Sequence, residues 1–156
     1  AAPTLAQHGA QWGVASDLDS QAVARGQALF RGQANCVACH SGPAFTDVNS
    51  FGLHLASASV ALDKNYIKFS ATRQWRTSPL KGLWQHPPYF HDGSGALNRA
   101  TGKCMDGSDI GSLASSTDRV RKDLACVVNR YNDPREHNLG LTDAQRADLV
   151  EYLKSL

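Results

Sequence analysis

Cys36 and Cys39 stand three positions apart in "CVACH", and His40 follows the second directly. Three chemistries use such a pair: a redox disulfide, half of a zinc site, or two thioether bonds to a haem whose iron takes the histidine. Zinc needs four ligands, commonly from a second close cysteine pair or paired histidines. Cys104 and Cys126 are too far apart in sequence for that, and His86 with His91 makes no matching motif. A thioredoxin-type pair sits between the strand and helix of a βαβ unit, a pattern absent here. The adjacent histidine favours haem. In C-x-x-C-H the thiols add across the haem vinyl groups and the imidazole lies beneath the iron. Cys36 and Cys39 are the expected covalent anchors of one haem c, and His40 its proximal ligand.

Something must carry that motif. Asp17 to Ser20 offers several N-cap residues, and "QAVARGQALFRGQ" after them spaces Val23, Ala24, Ala28, Leu29 and Phe30 as a helical stripe running into the cysteines. Gly42 and Pro43 then break the chain, and 44–62 reads as loop with short turns. Pro79, Pro87 and Pro88 exclude one long helix over 63–90, and "HDGSG" from His91 is a turn. Residues 102–117, rich in Gly and Ser, read as a long loop. "DRVRKDLACVVNRY" from Asp118 has helical spacing through Val120, Leu124, Val127, Val128 and Tyr131. The end is the clearest element. Thr142 and Gln145 form a capping box, followed by an apolar face of Ala144, Ala147, Leu149, Val150, Leu153 and Leu156. The expectation is an all-α chain with long loops, an extended arm over 1–16 and one domain over 17–156.

Bulk properties bound the class. A chain of 156 residues fits one domain, and 42% hydrophobic with 19% charged residues marks it as globular rather than disordered. No apolar run approaches the roughly 18–20 residues of a membrane span. The start, "AAPTLAQHGA", lacks a charged or apolar leader and fits a mature end left by signal cleavage. Net charge is +2, yet Lys64, Lys68, Arg73, Arg76, Lys81, Arg99 and Lys103 face only Asp92 within 64–103. That excess reads as a solvated face, a docking surface for an acidic redox partner, or charge for haem propionates. It is too modest, and too free of basic runs, for nucleic acid. A Cys104–Cys126 disulfide would fit an oxidising compartment and close a loop worth about 3 kcal/mol; two separate buried thiols are the alternative. Covalent haem attachment agrees with a periplasmic or otherwise exported protein.

Four stretches, "ARGQALFRGQANCVACHSGPAFTD", "RTSPLKGLWQHPPYFHDGS", "VVNRYN" and "LGLTDAQRADLVEYLKSL", together resemble the C-terminal haem domain of the bacterial di-haem cytochrome c peroxidases, a superfamily that includes the di-haem enzyme of methylamine utilisation. The match covers roughly residues 23–156, and "PPYFHDGS" is its most specific part. The resemblance implies a class I cytochrome c fold, with an insertion around 102–117. It puts Trp84 and His91 near the haem, and Lys81 where the family has an arginine near the propionates. The family's interdomain calcium uses carbonyls just before "YFHDG"; Pro88 matches one position and His86 replaces a threonine at the other. The partner group comes from a second domain for which 156 residues leave no room, so calcium is doubtful here.

The sixth ligand stays open between two positions. Counting forward from "FHDG" reaches Met105, the chain's sole methionine; counting back from "LGLTDAQ" reaches Tyr131 in helical context. Family peroxidases have Met there and the methylamine-utilisation enzyme has Tyr; a histidine such as His54 is a third option. His8 and His137 read as surface residues. The expected function is single-electron transfer between redox partners by a mono-haem cytochrome c. The alternative is a peroxidase-like or oxygen-activating enzyme with a Tyr-ligated or open distal site. The oligomeric state is not legible.

Overall fold

A computed structural model describes residues 18–47, 53–55 and 74–156, with 53–55 described by backbone alone. The N-terminal arm, Lys64, Lys68 and Arg73 lie outside the described residues, as does most of 44–62. Three α-helices organise the remainder: α1 Ser20–Arg31, α2 Arg119–Asn132 and α3 Asp143–Ser155. Two small antiparallel ladders accompany them. β1 Leu53–Leu55 pairs with β2 Gln74–Arg76, and β3 Leu97–Asn98 pairs with β4 Lys103–Cys104. Strands of two or three residues are too short to show alternation, so sequence patterning passes over them. Short 3₁₀ turns lie at Cys36–Ala38, Leu83–Gln85 and Gly111–Ser115. Among the described residues no helix is long and apolar enough to cross a membrane.

The helix starts follow capping chemistry. Asp19 accepts from the Gln21 and Ala22 amides, Asp118 from those of Val120 and Arg121. Thr142 and Gln145 satisfy one another's backbone amides at 3.3 and 2.9 Å, completing the capping box.

The buried face of α1 differs from the expected stripe. Ala24 and Ala28 are exposed, whereas Ala22, Gly26 and Phe30 are buried at successive i, i+4 positions. Gly26 marks the reason. A Cβ there would fall 2.1 Å from the Asp148 carbonyl oxygen and 2.7 Å from the Tyr152 Cβ. The backbones of α1 and α3 therefore cross at this glycine, and its missing side chain decides which face turns inward.

Helix α3 is buried almost all round from Leu149 to Lys154, while Ala144 is exposed. It packs on α1, on α2 and on the turns at 83–85 and 111–115, so it needs more than one apolar stripe. Two of its buried residues are charged, and both are paired. Arg121 donates twice to Glu151, at 2.7 Å each, and the Asp19 amide donates to the same carboxylate at 2.8 Å. Lys154 donates to Asp118, which already caps α2. This knot fastens the starts of α1 and α2 to the end of α3. Glu151→Ala removes one side of a buried ion pair and leaves Arg121 its longer contact with Asp118 at 3.7 Å, an expected loss of about 3 kcal/mol, the lower end for a broken buried pair. Urea unfolding of haem-loaded protein measures it; a midpoint equal to the parent's would show that the knot adds nothing.

The 102–117 stretch is held rather than loose. Cys104 and Cys126 are joined by a disulfide, with Cα atoms 5.4 Å apart and both residues buried. The Asn129 amide donates to the Asp109 carbonyl at 2.6 Å, and Arg146 donates to the same asparagine's oxygen. These contacts fix the stretch against α2.

Candidate cofactor site

Helix α1 ends at Arg31, and the chain turns through Gly32 and Asn35, the latter in left-handed conformation (φ 46°). The 3₁₀ turn that follows makes three residues one revolution, so Cys36 and Cys39 project on the same side. The His40 amide donates to the Cys36 carbonyl at 2.8 Å, tying the ligand histidine to the same turn. The two cysteines form no disulfide.

His40 is oriented by the loop after it. Phe45 has φ of 55°, and its carbonyl lies 3.0 Å from His40 Nδ1. A carbonyl can only accept, so the proton sits on Nδ1 and the lone pair on Nε2, the tautomer a metal ligand requires. The loop is closed by Phe45 N–H to the Gly42 carbonyl and Thr46 N–H to Ser41. Its far side is anchored by the Thr46 hydroxyl donating to the Thr77 carbonyl at 2.6 Å. Sequence reading missed Phe45; only the Gly42–Pro43 break pointed to a turn here.

A cleft of about 410 Å³ opens beside the imidazole, lined by Phe30, Arg31, Val37, His40 and Phe45 among others. Phe30 packs edge-on against both Phe45 and Tyr152, with centroids at 6.0 and 5.3 Å, so α3 backs the α1 side of the cleft. Burial pushes the Cys36 thiol up to about 11 and raises that of Cys39 as well. An activated redox pair needs a depressed thiol pKa, the opposite of this environment. Among the described residues, no three His, Cys, Asp or Glu side chains gather as around a zinc ion. Two unbridged thiols one turn apart, an imidazole with Nε2 as its lone-pair nitrogen, and an aromatic-walled cleft fit covalent haem.

Tyr131 approaches from the last turn of α2. Burial, and then the charges of Cys36 and Cys39, push its phenol up to about 12. Phe90 lies against its ring at 6.1 Å, and His137 stacks on it at 5.0 Å and 29°. Phe90 comes from "PPYFHDGS", which folds into a closed loop: Tyr89 and Gly95 exchange two backbone hydrogen bonds, at 3.2 and 3.1 Å. Gly95 nestles against Val127 of α2, and the Arg130 guanidinium sits 5.3 Å over the Phe90 ring.

The other sequence candidates lie elsewhere. Met105 follows β4 and is 57% exposed. Lys81 is exposed, Trp84 half-buried in the 83–85 turn. His91 is exposed, its ring 4.2 Å from that of Trp75 on β2. His54 is in β1 opposite Trp75, described by backbone alone, and His8 lies outside the described residues. His86 and Pro88, the positions matching the family's calcium carbonyls, are exposed. His137 is exposed as expected, but its stacking on Tyr131 was not foreseen, because the two meet only through the fold of the 133–140 turn.

The cytochrome c family profile matches residues 23–156. Among curated proteins, the methylamine utilization protein MauG of Methylorubrum extorquens (strain ATCC 14718 / DSM 1338 / JCM 2805 / NCIMB 9133 / AM1) is 27% identical over 136 residues, or 85% of this chain. The chain spans about a third of that relative's length (33%). No solved structure matches significantly.

Proposed function

The chain belongs to the cytochrome c family, and from that premise we propose that it carries single electrons between redox partners in an exported, oxidising compartment, with one haem c held by Cys36, Cys39 and His40 and with Tyr131 as the distal group. Haem c, when bound, supplies a one-electron couple. The thiols of Cys36 and Cys39 anchor it as thioethers, and His40 presents Nε2 because its Nδ1 proton is engaged by Phe45.

One observation supports this reading: the Tyr131 phenol, which we assign to the distal side, is packed against aromatic rings. Tyr131 is half-buried with the Phe90 and His137 rings against it, and its phenol lies within electrostatic range of Cys36 and Cys39. Electron exchange needs no entry path for a small molecule, so a packed distal group suits it. The buried Cys104–Cys126 bridge supports export. Arg76, Lys81, Arg99 and Lys103, all exposed, support docking of an acidic partner.

A peroxidase-like reading has one observation in its favour, the half-buried Glu136 in the turn directly after the helix end that carries Tyr131, where an acid–base group would be useful. Ferric absorption spectra separate these readings. Tyr131→Phe is expected to change the ferric spectrum and raise the reduction potential, because an oxygen ligand lowers it. Met105→Ala is expected to change neither. A long-wavelength sulfur-to-iron band, present in the parent and lost in Met105→Ala, would assign the methionine instead. A parent spectrum that answers immediately to peroxide would favour the enzyme.

A further inference from the structure

We infer that His137 is a positioning residue: its imidazole and the Phe90 ring together form a holder that keeps the Tyr131 phenol on the distal side and slows entry of outside ligands. This rests on the reading of Tyr131 as the distal group.

Tyr131 needs such a holder because it sits on the final turn of α2, which ends at Asn132. Helix ends fray, and a tyrosine there can swing about two side-chain torsions. Two rings restrain it. Phe90 is offered by the closed 89–95 loop, in left-handed conformation (φ 64°). His137 lies nearly parallel to the phenol ring at a centroid distance of 5.0 Å, within the range of favourable ring pairs.

The turn after α2 exists in a form that brings His137 back. Asn132 clips the turn shut, its side-chain amide donating to the Leu141 carbonyl at 3.1 Å and its oxygen accepting from the Leu141 amide at 2.8 Å. The Asp133 carbonyl accepts from the Glu136 and Asn138 amides, at 2.9 and 3.2 Å. Asn138 takes the left-handed conformation (φ 49°) that reverses the chain. Every one of these bonds spares the imidazole, which is exposed. The turn therefore folds without His137, and changing that side chain should leave the fold alone.

The test uses the full haem-loaded chain, with His137→Ala, His137→Phe and Tyr131→Phe beside the parent. Cyanide association with ferric protein is followed by stopped flow, together with the ferric spectrum and the urea midpoint. His137→Ala is expected to bind cyanide about tenfold faster, the scale of one lost ring pair, with a partial spectral shift towards that of Tyr131→Phe. His137→Phe, which keeps a stacking ring, should restore the parent's rate. An unchanged rate and spectrum in His137→Ala overturns the inference, as does a His137→Phe that stays as fast as the alanine variant. If Tyr131→Phe leaves the spectrum as it was, the distal reading itself fails. A responsive Tyr131→Phe beside an inert His137→Ala removes only the holder.

Discussion

Purified Cys36→Ala, Cys39→Ala double variant will be colourless after denaturation, with the mass of the bare chain, where the parent keeps its chromophore. The loss is complete rather than graded, because both thioether positions are gone and the remaining His40 contact is not covalent. Each single variant should keep one bond and a weakened yield. The effect reaches beyond attachment. Phe30 from α1 and Phe45 from the loop line the cleft beside His40, and Tyr152 of α3 packs on Phe30. Without a haem the cleft that Phe30 and Phe45 line would hold water in place of an apolar ring, so the double variant should also lose helical signal and cooperative unfolding. A double variant that retains attached haem would remove the basis of the functional reading, as would a parent chain that matures without one.

Gly26→Val is expected to lose about 3 kcal/mol or more, the upper range for overpacking, a large share of the roughly 5–15 kcal/mol that keeps a domain folded. The clash is with backbone: the added Cβ would meet the Asp148 carbonyl oxygen at 2.1 Å, and that oxygen belongs to the hydrogen-bonded ladder of α3. It cannot rotate away as a flexible side chain would. Relief requires α1 and α3 to separate, which loosens Phe30 from Tyr152 and the wall of the cleft. Gly26→Ala gives a sharper sign. Exposed helix interiors gain about 1 kcal/mol from that change, so an alanine variant less stable than the parent isolates the steric cost. Urea midpoints of haem-loaded proteins decide it. An alanine variant with a higher midpoint would show that the helices do not cross closely at this glycine.

Sequence alone was enough for whatever is local. Cys36, Cys39 and His40 act through spacing within one turn, and Thr142 with Gln145 caps α3 through contacts three residues apart. The helices around Phe30, Leu124 and Val150 likewise announced themselves by period. The α1 face was misjudged because Ala24 and Ala28 look apolar in isolation, while Gly26, which has no side chain to score, is where the backbone of α3 comes closest. Glu151 and Lys154 were invisible as interior residues, since their burial depends on Arg121 and Asp118 arriving from another helix.

The site divides the same way. Its C-x-x-C-H half is written in five consecutive residues, whereas the half we propose as distal is assembled from "PPYFHDGS", the end of α2 and the turn that carries His137. Phe90, Tyr131 and His137 are far from the cysteines in sequence and from one another in pattern. Their meeting depends on where two closed loops dock on α2, and side-chain period carries no record of docking. Short-range hydrogen bonds and spacing fix chemistry along the chain; long-range packing chooses which ring stands over which.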